Sequence, residues 1–249
     1  MERRRLKPVR LFSSDLDGTL IGNRQATARF RAQWDALNPA RRPLLVYNSG
    51  RLIDDMEALL GVCGLPRPDH LIGGVGTMIA GDAHGESYGK ALGEPFDRAA
   101  IAAILSRIDG ITLQSDVFQH AHKSSWHINN ASDDLVAGIE HDLIDAGLDV
   151  KLVYSSDRDL DILPRVADKG AALSWLCARL SIELDEVVVG GDTGHLRVLF
   201  LLPAVRGIAV GNALAELRRI AEKGDCHYQA VAEQADGVIE GLRHWGVIG

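Results

Sequence analysis

Two carboxylates stand two positions apart in Ser14-Asp15-Leu16-Asp17-Gly18-Thr19, directly after the apolar run Val9-Arg10-Leu11-Phe12-Ser13. That run reads as a short buried strand. Carboxylates leaving the C-terminal end of a parallel strand sit where open α/β sheets bind their ligands. Both can then face one site, where such groups hold a cation, attack an electrophile or move protons. A plain turn with two solvated aspartates has the same local spelling, so the rest of the chain must discriminate.

The elements that would position this pair alternate. Phe30, Trp34 and Leu37 fall at helical spacing within Ala26 to Leu37, and Leu44-Leu45-Val46-Tyr47 reads as a second buried strand. Leu52, Met56, Leu59 and Leu60 mark a helix face, and Leu71-Ile72 opens a third strand ahead of Gly73-Gly74-Val75-Gly76. Strand, helix, strand, helix, strand implies a parallel sheet covered on both faces. The middle of the chain differs. Pro95 suits a first helical turn, and Ile101, Ile104, Leu105 and Ile108 continue a helix that Gly110 ends. Ile111-Thr112-Leu113 and Ser124 to Ile128 read as strands. Leu135, Ile139 and Leu143 form a helix face capped near Gly147, and the alternating runs Leu148 to Tyr154 and Asp159 to Leu163 follow. This is a small α/β module with an open-faced sheet. After Pro164 the first pattern returns: helix from Ala171, strand Val187-Val188-Val189, Leu199 to Leu202 on or after a short helix, strand Gly207 to Val210, helix Leu214 to Ile220. The expected architecture is α/β, a Rossmann-like parallel-sheet core at 1–85 and 167–249 with an inserted α/β cap domain at 86–166.

Composition narrows the function classes. The 249 residues are 46% hydrophobic and 24% charged, with a formal net charge of −7. An acidic chain is poorly suited to sequence-independent nucleic-acid binding, which needs many Lys and Arg. The basic start Glu2-Arg3-Arg4-Arg5-Leu6-Lys7 lacks a following apolar stretch and reads as a solvated tail. No run approaches a membrane span. Three cysteines, Cys63, Cys177 and Cys226, form no CxxC pair, which fits a reducing cytoplasm better than a disulfide framework.

DLDGT at a strand end is the signature of the haloacid dehalogenase phosphatase superfamily, and the chain resembles it at further points in the family's order. Ser49, in Asn48-Ser49-Gly50-Arg51, is similar to the phosphate-holding Ser or Thr of the second motif. Lys169, in Asp168-Lys169-Gly170, resembles the third-motif lysine, and Gly191-Asp192-Thr193-Gly194 the fourth-motif metal-binding acid. Gly211-Asn212-Ala213 resembles a loop that closes the site. Singly, these could be a helix cap, a surface charge, an N-cap and a turn residue; their shared order at element ends identifies the superfamily. The resemblance implies that Asp15 takes the phosphoryl group and that Mg2+ is held by Asp15, Asp192 and the main-chain carbonyl of Asp17. Ser49, Gly50 and Lys169 would hold the phosphoryl oxygens as charge shifts. Asp17 would protonate the leaving oxygen and later deprotonate water, so its surroundings are expected to favour the protonated form.

Leu148 to Ser156, Asp159 to Pro164, His122-Lys123-Ser124 and Val75-Gly76-Thr77 resemble the sucrose-phosphate phosphatase family, with its type IIB cap. The opening, Pro8 to Asn23, is also similar to the bacterial mannosylfructose-phosphate phosphatases of that family. The resemblance implies a sugar-phosphate substrate, a fructose-containing disaccharide 6-phosphate, contacted by Arg51, Asn212 and the cap residues Lys123, Asp157 and Asp159. Strand alternation leaves some of Asp157, Asp159 and Asp161 as plain surface, and Trp126 reads as cap core rather than a stacking platform. A monomer linked functionally to a glycosyltransferase completes the expectation. A broad-specificity sugar-phosphate phosphatase is the nearest alternative. One departure stands out. The family's fourth motif continues GDSGND, whereas this chain reads Gly191-Asp192-Thr193-Gly194-His195-Leu196. The second acid is a Leu, and imidazole at His195 is a poor substitute toward magnesium. A weaker working site, a rearranged site and a non-catalytic sugar-phosphate binder follow from this, the first being favoured because Asp17 has no use in a binder.

Overall fold

The computed structural model describes residues 6–81, 84–193 and 196–249. Arg3 to Arg5 of the basic start, and His195 with its expected weak ligation, lie outside the described residues. The chain divides into two compact units, residues 1–85 with 169–249, and residues 86–168.

The first unit begins β1 (Leu11–Ser14), α1 (Arg24–Asp35), β2 (Leu44–Asn48), α2 (Ile53–Cys63), β3 (His70–Gly73) and β4 (Met78–Ala80). α3 (His84–Ala91) crosses into the second unit, which continues α4 (Arg98–Leu105), β5 (Thr112–Leu113), β6 (Ser124–His127), α5 (Asp133–Asp145), β7 (Val150–Ser155) and β8 (Asp159–Pro164). The first unit resumes with α6 (Lys169–Arg179), β9 (Val187–Gly191), α7 (Arg197–Phe200), β10 (Arg206–Ala209), α8 (Ala215–Lys223), β11 (His227–Gln229) and α9 (Gln234–His244).

The core sheet runs β11-β10-β9-β1-β2-β3-β4. All its pairs are parallel except β3 with β4. β1 lies in its interior because Leu11 and Phe12 have no exposed surface, and a strand buried on both faces suits the middle of a parallel sheet. Phe12 meets Phe30 and Trp34 of α1 at ring-centroid separations of 6.4 and 5.9 Å, fixing that helix on the sheet. α1 starts at Asn23, whose side-chain oxygen accepts from the Gln25 and Ala26 amides, and ends at Asp35. The short edge strand β4, the terminal pair β11 and α9, and α3 carry no expectation above, since each is short or weakly periodic. Pro95 precedes the helix rather than opening it: Asp97 is the cap, its carboxylate accepting from the Ala99 and Ala100 amides.

The second unit has the sheet order β5-β6-β8-β7, antiparallel throughout. One face packs Trp126, Leu160, Ile162 and Val150 against Ile101, Leu105, Ile139 and Leu143 of α4 and α5. Trp126 is thus core, its indole N–H donating to Ser124 Oγ. The alternate residues Ser125, His127, Asp159 and Asp161 line the other face, as the period of two requires.

Candidate active site

The C-terminal ends of β1, β2 and β9 and the start of α6 build one polar cluster. The Asp15 amide donates to Gly190 O at 3.1 Å, extending the β1–β9 ladder one residue beyond the strand. Leu16 is fully buried and anchors the turn, its carbonyl accepting from the amides of Thr19, Leu20 and Ile21. Gly18 lies at φ +73°, and a Cβ there would stand 2.1 Å from Asp192 Oδ2. Only glycine suits that position, because Asp192 rests directly on its α-carbon. Thr19 Oγ1 donates to Asp192 Oδ1 at 3.1 Å, a hydroxyl role that has no local signal in the sequence.

Lys169 is 5% exposed and its ammonium donates to Asp15 Oδ1 at 3.1 Å. Asn48 Nδ2 donates to the Lys169 carbonyl at 3.1 Å, tying the first residue of α6 to the end of β2. Ser49 is buried, and its Oγ accepts from the Arg51 amide at 3.2 Å. The structure therefore brings Asp15, Ser49, Lys169 and Asp192 to one end of the sheet from positions spread across the chain.

Charge within the cluster is unbalanced. Burial, and then the neighbouring charge of Asp15, push the Asp192 carboxyl up from 3.8 to about 6, while Lys169 pulls it down less. Two buried carboxylates facing one lysine are a fitting seat for a cation. No group of three or more His, Cys, Asp or Glu side chains forms a metal cage among the described residues. Magnesium binds through one or two carboxylates and keeps several waters, so a two-carboxylate set matches it.

Several of the expected site residues take partners within the fold. The two oxygens of Asp17 accept from Arg51 Nη2 and Nε at 2.9 and 2.8 Å. Arg51, expected on substrate, also pairs through Nη1 with Asp55 at 2.7 Å. Arg51 stands just ahead of α2 and Asp55 in its first turn, so their separation of four residues was the signal available in the sequence. Asn212 is likewise committed within the core: Nδ2 donates to Gly18 O and Oδ1 accepts from the Gln234 amide, both at 2.8 Å. It braces the Gly18 turn rather than offering a free amide. Leu196 has no exposed surface and fills the space above Gly191, where an added Cβ would come within 1.8 Å of its Cδ1. It is a core residue and supplies no ligand.

In the insert, Lys123 is 5% exposed and pairs with Asp161 Oδ1 at 2.7 Å. Its ammonium also donates to Ser125 Oγ, which donates to Asp161 Oδ1 at 2.7 Å. Lys123, expected on substrate, is therefore satisfied inside the insert. Asp159 pairs with Arg158 and His127, both at 3.0 Å. Asp157 is exposed in the β7–β8 turn at φ +51°.

Residues 8–246 match the family model of sucrose-6F-phosphate phosphohydrolase. The chain belongs to that family. It is 53% identical, over 97% of its own length and 99% of the relative's, to mannosylfructose-phosphate phosphatase of Agrobacterium fabrum. Sucrose-phosphatase 1 of Nicotiana tabacum is 32% identical, over 94% of this chain but 58% of the tobacco protein. Among solved structures, the sucrose-phosphatase from Synechocystis sp. PCC6803, in complex with sucrose and phosphate, superposes with a TM-score of 0.85. That match has 28% identity and covers 96% of this chain and 99% of that one. A subclass IIB sugar phosphatase of the haloacid dehalogenase type shares the fold at a TM-score of 0.67 and 14% identity, covering 96% of this chain and all of that one. The family is a phosphatase family on the haloacid dehalogenase fold, as the DLDGT resemblance implies.

Proposed function

We propose that the protein hydrolyses the phosphate monoester of a fructose-containing disaccharide 6-phosphate, with mannosylfructose-phosphate preferred to sucrose-phosphate. The preference rests on the full-length 53% identity to the mannosylfructose enzyme, against 32% to the tobacco sucrose-phosphatase. The observation that carries the chemistry is Asp15, buried at the mouth of β1 with Lys169 on one oxygen and Asp192 nearby.

In this reading Asp15 attacks the phosphorus, the sugar oxygen leaves, and an aspartyl-phosphate forms. Water then cleaves the acyl phosphate and regenerates Asp15. Magnesium, held by Asp15, Asp192 and the Asp17 main-chain carbonyl, would cancel the repulsion between a carboxylate and a dianionic ester. Lys169, Ser49 and the Gly50 amide steady the phosphoryl oxygens as charge moves onto the leaving group. Asp17 gives a proton to the departing sugar oxygen and takes one from water, once it is off Arg51. The insert, 86–166 in the sequence reading, supplies sugar specificity through Asp157 and Asp159, and Lys123 acts by shaping that face. No helix is long and apolar enough to cross a membrane among the described residues. The reading places the enzyme in the cytoplasm as a monomer, consuming the product of a glycosyltransferase.

Phosphate release from a panel of disaccharide and monosaccharide phosphates tests this. Activity should require magnesium, vanish with chelator, favour mannosylfructose-phosphate and fall by at least about 10³-fold in Asp15→Asn, as loss of a nucleophile does. Equal rates across the panel would indicate a broad-specificity phosphatase. Tight sugar-phosphate binding without release at saturating magnesium would indicate a binder.

A further inference from the structure

We propose that Arg51 is a positioning residue that clasps Asp17 in the free protein and releases it when an anionic phosphoryl group arrives beside Ser49. The inference rests on the phosphatase reading and adds a coupling that the reading does not contain.

The clasp is a complete one. Nε and Nη2 of Arg51 take the two oxygens of Asp17 at 2.8 and 2.9 Å, and Nη1 takes Asp55 at 2.7 Å. With both oxygens engaged, the Asp17 carboxylate is held in one orientation by its ion pair. Arg51 also hangs from the turn that presents Ser49. Its amide donates to Ser49 Oγ at 3.2 Å and its carbonyl accepts from the Gly74 amide at 2.7 Å. A phosphoryl group bound at Ser49 would therefore come within reach of the same guanidinium. The fork of a guanidinium accommodates two phosphate oxygens as well as two carboxylate oxygens, and a dianion attracts it more.

The exchange is energetically easy. The Arg51 and Asp17 side chains are 34% and 55% exposed, and ion pairs that exposed are weak. Asp55, in the first turn of α2, keeps the guanidinium tethered while the fork changes partners. Phosphate thus frees Asp17 at the moment a leaving group is present for it to act on.

Calorimetric titration of inorganic phosphate into the magnesium-loaded full chain tests this in a double-mutant cycle of Asp17→Asn and Arg51→Gln. With Arg51 present, Asp17→Asn should tighten phosphate binding, because the clasp no longer competes and a negative charge is gone. In the Arg51→Gln background only the charge effect remains, so the gain should be smaller by about 2–5-fold, the range of one exposed ion pair. Arg51→Gln alone should weaken phosphate binding, and Arg51→Lys should recover part of the loss. An additive cycle, phosphate affinity indifferent to Arg51, or no phosphate binding at all would overturn the clasp. Sugar-phosphate turnover by the unsubstituted chain is measured in parallel. Coupling without turnover supports the clasp and removes the phosphatase reading; turnover with an additive cycle does the reverse.

Discussion

At the end of the core sheet two buried carboxylates, Asp15 and Asp192, stand near one lysine, Lys169, which donates to Asp15, whereas on the insert's sheet Lys123 meets the single carboxylate of Asp161 and the Ser125 hydroxyl completes the set. The insert cluster is neutral and closed. Its members sit on β6, on β8 and in the turn just before β6, so one sheet register builds all of it. The core cluster carries excess negative charge and is assembled from loops at three strand ends and one helix start. The difference teaches that burial of charge alone does not tell a candidate site from a structural ion pair. An unbalanced set invites a cation or a substrate; a balanced one supports a fold.

Four measurements can break or sharpen that contrast. The largest effect is expected from Lys123→Met, which leaves Asp161 buried without its partner and should cost about 3–5 kcal/mol in denaturant unfolding. Magnesium should not recover it. Lys169→Met should also destabilise the metal-free protein, yet magnesium should recover much of that loss by joining Asp15 and Asp192. Equal magnesium responses in the two variants would erase the distinction.

Leu196→Asp comes next. The position is fully buried against Gly191, so the metal-free variant should lose about 3 kcal/mol, as buried unpaired acids do. If the acid can turn to the cluster, the rise in melting temperature on adding magnesium should exceed that of the unsubstituted chain. An identical rise would show that position 196 does not reach the ion.

Asp192→Asn gives an intermediate effect with a defined pH dependence. Its carboxyl sits at about 6 in the fold, against an ordinary value of 3.8. Between those values the unfolded chain binds fewer protons than the folded one, so metal-free stability falls as pH rises through the window. The penalty is complete above it. Asp192→Asn should therefore stabilise the metal-free protein by about 2 kcal/mol at pH 7.5 and by almost nothing at pH 4. A pH-independent difference would place the strain elsewhere.

Asp157→Asn is the smallest. An exposed turn residue at positive φ tolerates Asn, and stability should stay within about 0.5 kcal/mol. The KM for mannosylfructose-phosphate should rise a few-fold; an unchanged KM would remove Asp157 from the sugar contacts.

Much of the fold was legible because its signals are periodic and local. The buried runs at Leu11, Leu44 and Val187 read as interior strands because helix patterns alternate with them, and the alternation of Leu160 and Ile162 with Asp159 and Asp161 announced a strand with one apolar and one polar face. β4, β11 and α9 escaped notice, the strands being three residues each and the last helix carrying glycines at 237 and 241. Within the site, Asp15, Ser49, Lys169 and Asp192 were legible as residue types at element ends. Thr19 and Asp55 were not, since a hydroxyl or carboxylate gains such a role only from what stands opposite it.

By itself the sequence determined which residues could carry phosphoryl chemistry and that a parallel sheet would present them, because strand ends and residue types are local properties. Only the tertiary structure decided which partner each charge would take. It set Asp17 on Arg51, Lys123 on Asp161, Asn212 on Gly18, and Leu196 into the core over Gly191. Those choices depend on distances of a few ångströms, mostly between groups far apart in the chain, and Coulomb and packing energies change most steeply over that range.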